Sequence, residues 1–271
     1  MPVWTLDDIP WQRFEAASVE PDILRLVKAA SLVEYNGQAY AHHLCRVFAG
    51  DPPFQDAAQR WGEEEVQHGA ALARWAQLAD PAFDFAAAMA RFCDGYKVDF
   101  DSTQSRRGSR AGEMVARCIV ETGTSSYYPA LHEATGEPVL REICRRIAAD
   151  EFRHYRLFLK QLDACLTHER LGRWQRLRTA LRRIGESEDD ELAYAYYAAN
   201  GDALHYDRRR CSRAYGRCAA AIYCRHHVER MVAMVLKAAG LTPNGRLAGA
   251  LTELAWRAMR WRHHRLMRAA A

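Results

Sequence analysis

A chain of 271 residues with 49% hydrophobic content is long enough for one large domain or two small ones and can fill a sizeable core. Its net charge is only +4, and neither zinc-finger spacing nor an RNA-binding signature appears, so nucleic-acid recognition is not expected. No run of about 18 apolar residues occurs, so no integral membrane segment is expected, and Met1-Pro2-Val3-Trp4-Thr5-Leu6-Asp7-Asp8 lacks the basic and apolar regions of a signal peptide.

Nearly every segment carries helical periodicity, and strand-like alternation is scarce. After an irregular start around Ile9-Pro10-Trp11, a helix is predicted from Pro21 to about Phe48, carrying Glu34. Gly50-Asp51-Pro52-Pro53 breaks it. The next helix, about Phe54 to Leu78, carries Glu65 and His68 and ends at Asp80-Pro81. A shorter helix spans about Phe83 to Phe92, and Asp99 to Gly108 reads as a loop. A helix from about Arg110 to Ala134 carries Glu121. Gly136-Glu137-Pro138 turns the chain into a long helix that carries Glu151 and His154 and runs to about His168. Glu186-Ser187-Glu188-Asp189-Asp190 punctuates a helix-rich tail with stretches near 190–200, 207–239 and 245–269. Gly240 to Gly245 separates the last two. No long linker interrupts the pattern, so one domain over 1–271 is expected, with a core of about 20–170 and a helical extension of about 171–271.

The chemistry lies in a repeat. Glu65-Val66-Gln67-His68 and Glu151-Phe152-Arg153-His154 are both Glu-x-x-His. Glu34 lies 31 residues before Glu65, and Glu121 lies 30 residues before Glu151. Each pair also follows an acidic residue, Glu64 or Asp150. About one Glu-x-x-His is expected by chance in such a chain, so either copy alone is weak and the repetition carries the signal. Residues three apart share a helix face, so Glu65 points with His68 and Glu151 with His154. At about 1.5 Å per residue, some 30 residues allow a helix up, a turn and a helix down to the same level. Glu34 then faces the Glu65 pair and Glu121 the Glu151 pair. That ligand order is the one a four-helix bundle uses to hold two metal ions between its helices. Carboxylate and imidazole ligands with open positions suit iron or manganese better than a structural zinc. Metal cations also supply the positive charge that four buried carboxylates need.

Eight cysteines without a Cys-x-x-Cys, mostly in apolar helical stretches, read as a reduced cytoplasmic set of small core residues. Cys211, Cys218 and Cys224 are close enough in sequence to suggest a second metal site, but their spacing fits helix packing better. Arg208 to Arg210, with Arg257, Arg260, Arg262, Arg265 and Arg268, make the C-terminal third basic. That surface is either a solvated face or a dock for an acidic partner.

The segment from Trp61 to Gly69 around the first Glu-x-x-His, and that from Ala134 to His154 around the second, resemble those of the acyl-ACP desaturases. The Ile-Cys-x-x-Ile-Ala-x-Asp-Glu-x-x-His run at Ile143 to His154 is the most specific match. Glu121-Thr122-Gly123-Thr124 also matches the family's glutamate with a threonine three residues later. The resemblance covers roughly residues 20–160. It implies an all-α, ferritin-like four-helix bundle with a non-haem di-iron centre, here with additional C-terminal helices. It implies metal ligands at Glu34, Glu65, His68, Glu121, Glu151 and His154, holding two iron ions, with manganese an option at one of them. Dioxygen is the implied co-substrate, a ferredoxin the implied electron donor, and an acyl carrier protein or other carrier-bound substrate the implied partner. Thr124 maps onto the proton-handling hydroxyl near the oxygen site, and a plain core threonine is an equal reading of it. Asp150 maps onto the carboxylate behind a ligand. Because metal-bound imidazoles give their other N–H to a carboxylate or carbonyl, Asp150 and Glu64 are expected to serve the histidine of the opposite hairpin.

Gly123, Ser125, Ser126, Tyr127 and Tyr128 around Glu121, the Tyr194, Tyr196, Tyr197 cluster and the Arg- and Cys-rich tail depart from that pattern, which leaves the substrate open. The expected activity is desaturation or hydroxylation of an acyl chain or other organic substrate. N-oxygenation of a small amine and a ferroxidase or iron-binding role are the alternatives, and a homodimer is a candidate assembly.

Overall fold

The structure, a computed structural model, describes residues 4–97, 101–187, 191–201 and 205–268. The start of the expected N-terminal segment (residues 1–3), part of the expected loop after residue 98 and the acidic punctuation at 188–190 lie outside them. Every regular element among the described residues is helical, and the fold is an all-α helical bundle. No helix among them is long and apolar enough to cross a membrane.

Three short 3-10 turns, Leu6–Asp8, Trp11–Arg13 and Ala16–Ser18, form the irregular start. Among the described residues eleven α-helices follow: α1 Pro21–Tyr35, α2 Gly37–Val47, α3 Pro52–Ala79, α4 Phe85–Gly95, α5 Arg110–Ala134, α6 Pro138–Leu166, α7 Arg173–Ser187, α8 Glu191–Asn200, α9 Arg208–Ile222, α10 Arg225–Ala238 and α11 Arg246–Arg268. Helix starts follow local chemistry. The Asp51 side chain accepts from Phe54 N at 3.3 Å, with Pro52 and Pro53 opening α3 where their missing N–H groups cost nothing. Asp84 caps α4 through Ala87 N at 2.9 Å.

The chain groups into two compact units, interleaved along the sequence. The first comprises Met1–Thr103, His132–Arg146 and Glu188–Ala219, and the second Gln104–Leu131, Ile147–Ser187 and Ala220–Ala271. Each draws on both the expected core and the expected extension.

In the first unit, α1 and α2 pack along α3, and α8 packs on α1 and α4. The predicted single helix from Pro21 to Phe48 is in fact α1 and α2, separated at Asn36. The reason is a tertiary contact. A Cβ on Gly37 would lie 2.2 Å from the Cβ of Glu65, and one on Gly69 2.4 Å from the backbone N of Tyr35. The junction therefore touches α3 at backbone distance. At the far end of α3, Trp75 is fully buried and its Nε1 donates to Glu137 at 2.6 Å. Glu137, also fully buried, accepts from Leu140 N at 2.7 Å and from Glu15 N at 3.1 Å. One carboxylate thus caps the start of α6, holds α3 and ties down the N-terminal segment.

In the second unit, α10 packs on α11 and α7. The predicted helix over 207–239 is two helices, α9 and α10, divided at Tyr223 and Cys224. The carboxylate of Glu169 caps α5, accepting from Arg110 N at 3.2 Å and Ala111 N at 2.8 Å. Tyr155 of α6 is buried, and its hydroxyl donates to the Met234 carbonyl of α10 at 2.7 Å. Tyr155→Phe removes that hydrogen bond between helices, an expected cost of about 0.5–1.5 kcal/mol. Thermal unfolding of the purified variant checks it, at roughly 2–4 °C per kcal/mol for a protein near this size.

Candidate metal centre

Two matched sets of buried donors form, one in each unit. In the first, Glu34 comes from α1, and Glu65 and His68 come from one face of α3. Glu34 Oε2 lies 3.6 Å from His68 Nδ1, and one donor atom from each of the three lies within 4.8 Å of the others. In the second, Glu121 comes from α5, and Glu151 and His154 from one face of α6. His154 Nδ1 is 3.8 Å from Glu121 Oε2 and 3.9 Å from Glu151 Oε1, and these three donors likewise lie within 4.8 Å of one another. All six side chains are buried, with exposures of 5% for Glu34, 7% for Glu65, 0% for His68, 1% for Glu121, 0% for Glu151 and 2% for His154.

Two carboxylates packed with one imidazole make a poor core without a cation. Burial, and then the charge of Glu151, push the Glu121 carboxyl well above the usual carboxylate range, while His154 and Arg117 pull it down. Glu121 Oε2 is buried and finds no hydrogen-bond donor among the described residues. Such an atom costs about 1–3 kcal/mol when left unsatisfied, and more when charged. A divalent cation would satisfy it, and a Glu, Glu, His donor set suits iron or manganese. The residues therefore fit a metal at each set.

Thr124 sits one turn beyond Glu121, and its hydroxyl donates to the carboxylate of Glu151 while lying 3.3 Å from the Glu121 carbonyl. It is not simply a threonine bonded back to its own helix, as Thr122 is through Cys118 O at 2.7 Å. Asp150 is buried and accepts from Arg153 Nη2 at 2.5 Å, and Glu64 is buried next to Glu65.

Trp4 is a neighbour that sequence reasoning missed. Its buried ring stacks on the His68 imidazole, with centroids 6.0 Å apart and planes 8° from parallel, and Arg146 lies over it at 5.8 Å. Nothing in the local pattern links residues 4 and 68. Of the three cysteines considered as a metal site, Cys218 is buried, Cys211 is half-buried and Cys224 is exposed. Burial, with Asp22 close by, pushes the Cys218 thiol up. No metal-capable group among the described residues contains Cys211 or Cys218.

No family model matches this chain, and no curated protein sequence does.

Proposed function

We propose that this chain is an oxygen-activating non-haem di-iron oxidase that desaturates or hydroxylates an organic substrate. The observation that carries the reading is the pair of buried Glu, Glu, His sets, each with its donor atoms within 4.8 Å of one another. Glu34, Glu65 and His68 would hold one ion, and Glu121, Glu151 and His154 the other, with the ligand types that di-metal carboxylate bundles use. When bound, ferrous iron supplies the electrons with which dioxygen is reduced.

The chain's own residues do the rest. Thr124 holds a proton at Oγ1 beside the Glu151 carboxylate, where a group that gives and regains a proton is useful to oxygen chemistry. The stacked Trp4 ring shields one face of His68 from water. Asp150, buried beside Glu151, would keep a ligand imidazole in its orientation, the service a buried carboxylate renders behind a metal-bound histidine. Electrons come from a ferredoxin-type donor. The exposed arginines of α11, among them Arg257, Arg260 and Arg265, offer an acidic partner such as this donor or an acyl carrier protein a face whose attraction weakens as salt rises.

The test is anaerobic reconstitution with ferrous iron, followed by oxygen, a reductant and candidate substrates. About two irons per chain are expected, the stoichiometry of the di-metal carboxylate bundles. Oxygen uptake should be coupled to an oxidised organic product. Less than one iron in a folded chain overturns the reading, and iron oxidation with no organic product under any substrate favours a ferroxidase. Asp150→Asn should lower metal affinity or turnover by about 10–100-fold with little change in folding. Unchanged kinetics and iron affinity would show that Asp150 does not orient a ligand imidazole.

A further inference from the structure

A third set of metal-ligating side chains lies in the turn where α9 gives way to α10 and includes Cys224, His226 and His227. We propose that these three residues form a mononuclear site for a borderline divalent cation such as zinc, independent of the carboxylate sets. One donor atom from each lies within 4.8 Å of the others. A tetrahedral ion with bonds of about 2.0–2.3 Å needs its ligands about 3.3–3.8 Å apart, so a small side-chain adjustment closes the site. Cys224 and His226 are exposed, while His227 is buried.

Backbone geometry prepares this turn. Cys224 is the N-cap of α10, in extended conformation at φ −106° and ψ 164°. Its N–H donates to His227 Nδ1 at 3.0 Å. An acceptor at Nδ1 puts the ring proton on Nε2, so the Nδ1 lone pair of His227 already points at the turn that carries the thiol. The His226 ring lies beside it, with centroids 3.9 Å apart. Binding would release the thiol proton to solvent and give the Nδ1 lone pair to the ion in place of the Cys224 N–H. The donor chemistry differs from that of the buried sets. One soft thiolate with two imidazoles suits zinc better than iron or manganese.

Cobalt and zinc, added to the full-length reduced chain after chelator treatment, test the site. Cobalt, in excess over the carboxylate sets, should produce a thiolate-to-metal charge-transfer absorption. The band should vanish in Cys224→Ser and in His226→Ala, both changes at exposed positions. Zinc should slow alkylation of Cys224 by iodoacetamide on the order of tenfold or more, since the free thiolate is the nucleophile. Cys93, also exposed, is the internal control and should react at the same rate with and without zinc. Peptide mass mapping reads both sites in the unmutated chain, so the test does not depend on a variant folding. Equal alkylation of Cys224 with and without zinc, or a band that survives Cys224→Ser, overturns the proposal.

Discussion

Glu65→Ala and Glu151→Ala are each expected to abolish turnover and to weaken iron binding by more than the roughly 10–100-fold typical of losing a residue behind a ligand. Helical content should survive in both. Alanine at 65 keeps the Cβ that meets Gly37, so the contact between the α1–α2 junction and α3 is preserved. At 151, the substitution removes a fully buried carboxylate whose charge raises the pKa of Glu121. The metal-free variants should therefore unfold no earlier than the metal-free parent, and removing the repulsion can stabilise them. Iron titration with circular dichroism on the same samples separates the cases. Loss of helix signal together with iron would mean that these glutamates hold the fold.

Glu137→Ala should show the opposite profile, a severe loss of stability with no direct effect on either donor set. Its carboxylate accepts from Trp75 Nε1, Leu140 N and Glu15 N, and the first two donors are buried. Each buried donor left without a partner costs about 1–3 kcal/mol, so the variant should lose about 3 kcal/mol or more. At roughly 2–4 °C per kcal/mol, that is a fall of about 6 °C or more in melting temperature. Glu137→Gln retains one good acceptor oxygen and should recover part of the difference. Differential scanning calorimetry of the three proteins decides it. A melting temperature within about one degree of the parent for Glu137→Ala would show that water replaces the carboxylate, and that a cap of this kind is worth far less here than usual.

What could be read from the sequence was what local spacing encodes. Glu65 with His68, and Glu151 with His154, share helix faces by the three-residue rule, and the 30-residue lead placed Glu34 and Glu121 beside them. The bounds of α5 follow directly from its periodicity and flanking breakers. Interruptions imposed from outside a helix were not legible. The break at Asn36 carries a local signal, the turn-favouring pair Asn36-Gly37, which the apolar periodicity on both sides outweighs, and it lies where Gly37 meets Glu65 of α3. The division at Cys224 was hidden because cysteine and histidine are not among the favoured capping residues, although here they cap one another. Trp4 and Glu137 were missed for the same reason. Their partners lie 64 and 62 residues away, at His68 and Trp75, and no periodicity reaches that far.

The close seam between α3 and the α1–α2 junction has a consequence for how a mutational survey of this protein would read. Gly37 and Gly69 bear no functional group, yet neither leaves room for a methyl: the added carbon would fall 2.2 Å from Glu65 Cβ in one case and 2.4 Å from Tyr35 N in the other. Relief can come only by separating helices, and that pulls Glu34 away from its partners on α3. Under selection for activity alone, these two glycines would score as intolerant as the glutamates and be mistaken for chemistry. Excess iron tells them apart. A Gly69→Ala chain keeps all its ligands and regains occupancy as the ion concentration rises, while a chain lacking a glutamate does not.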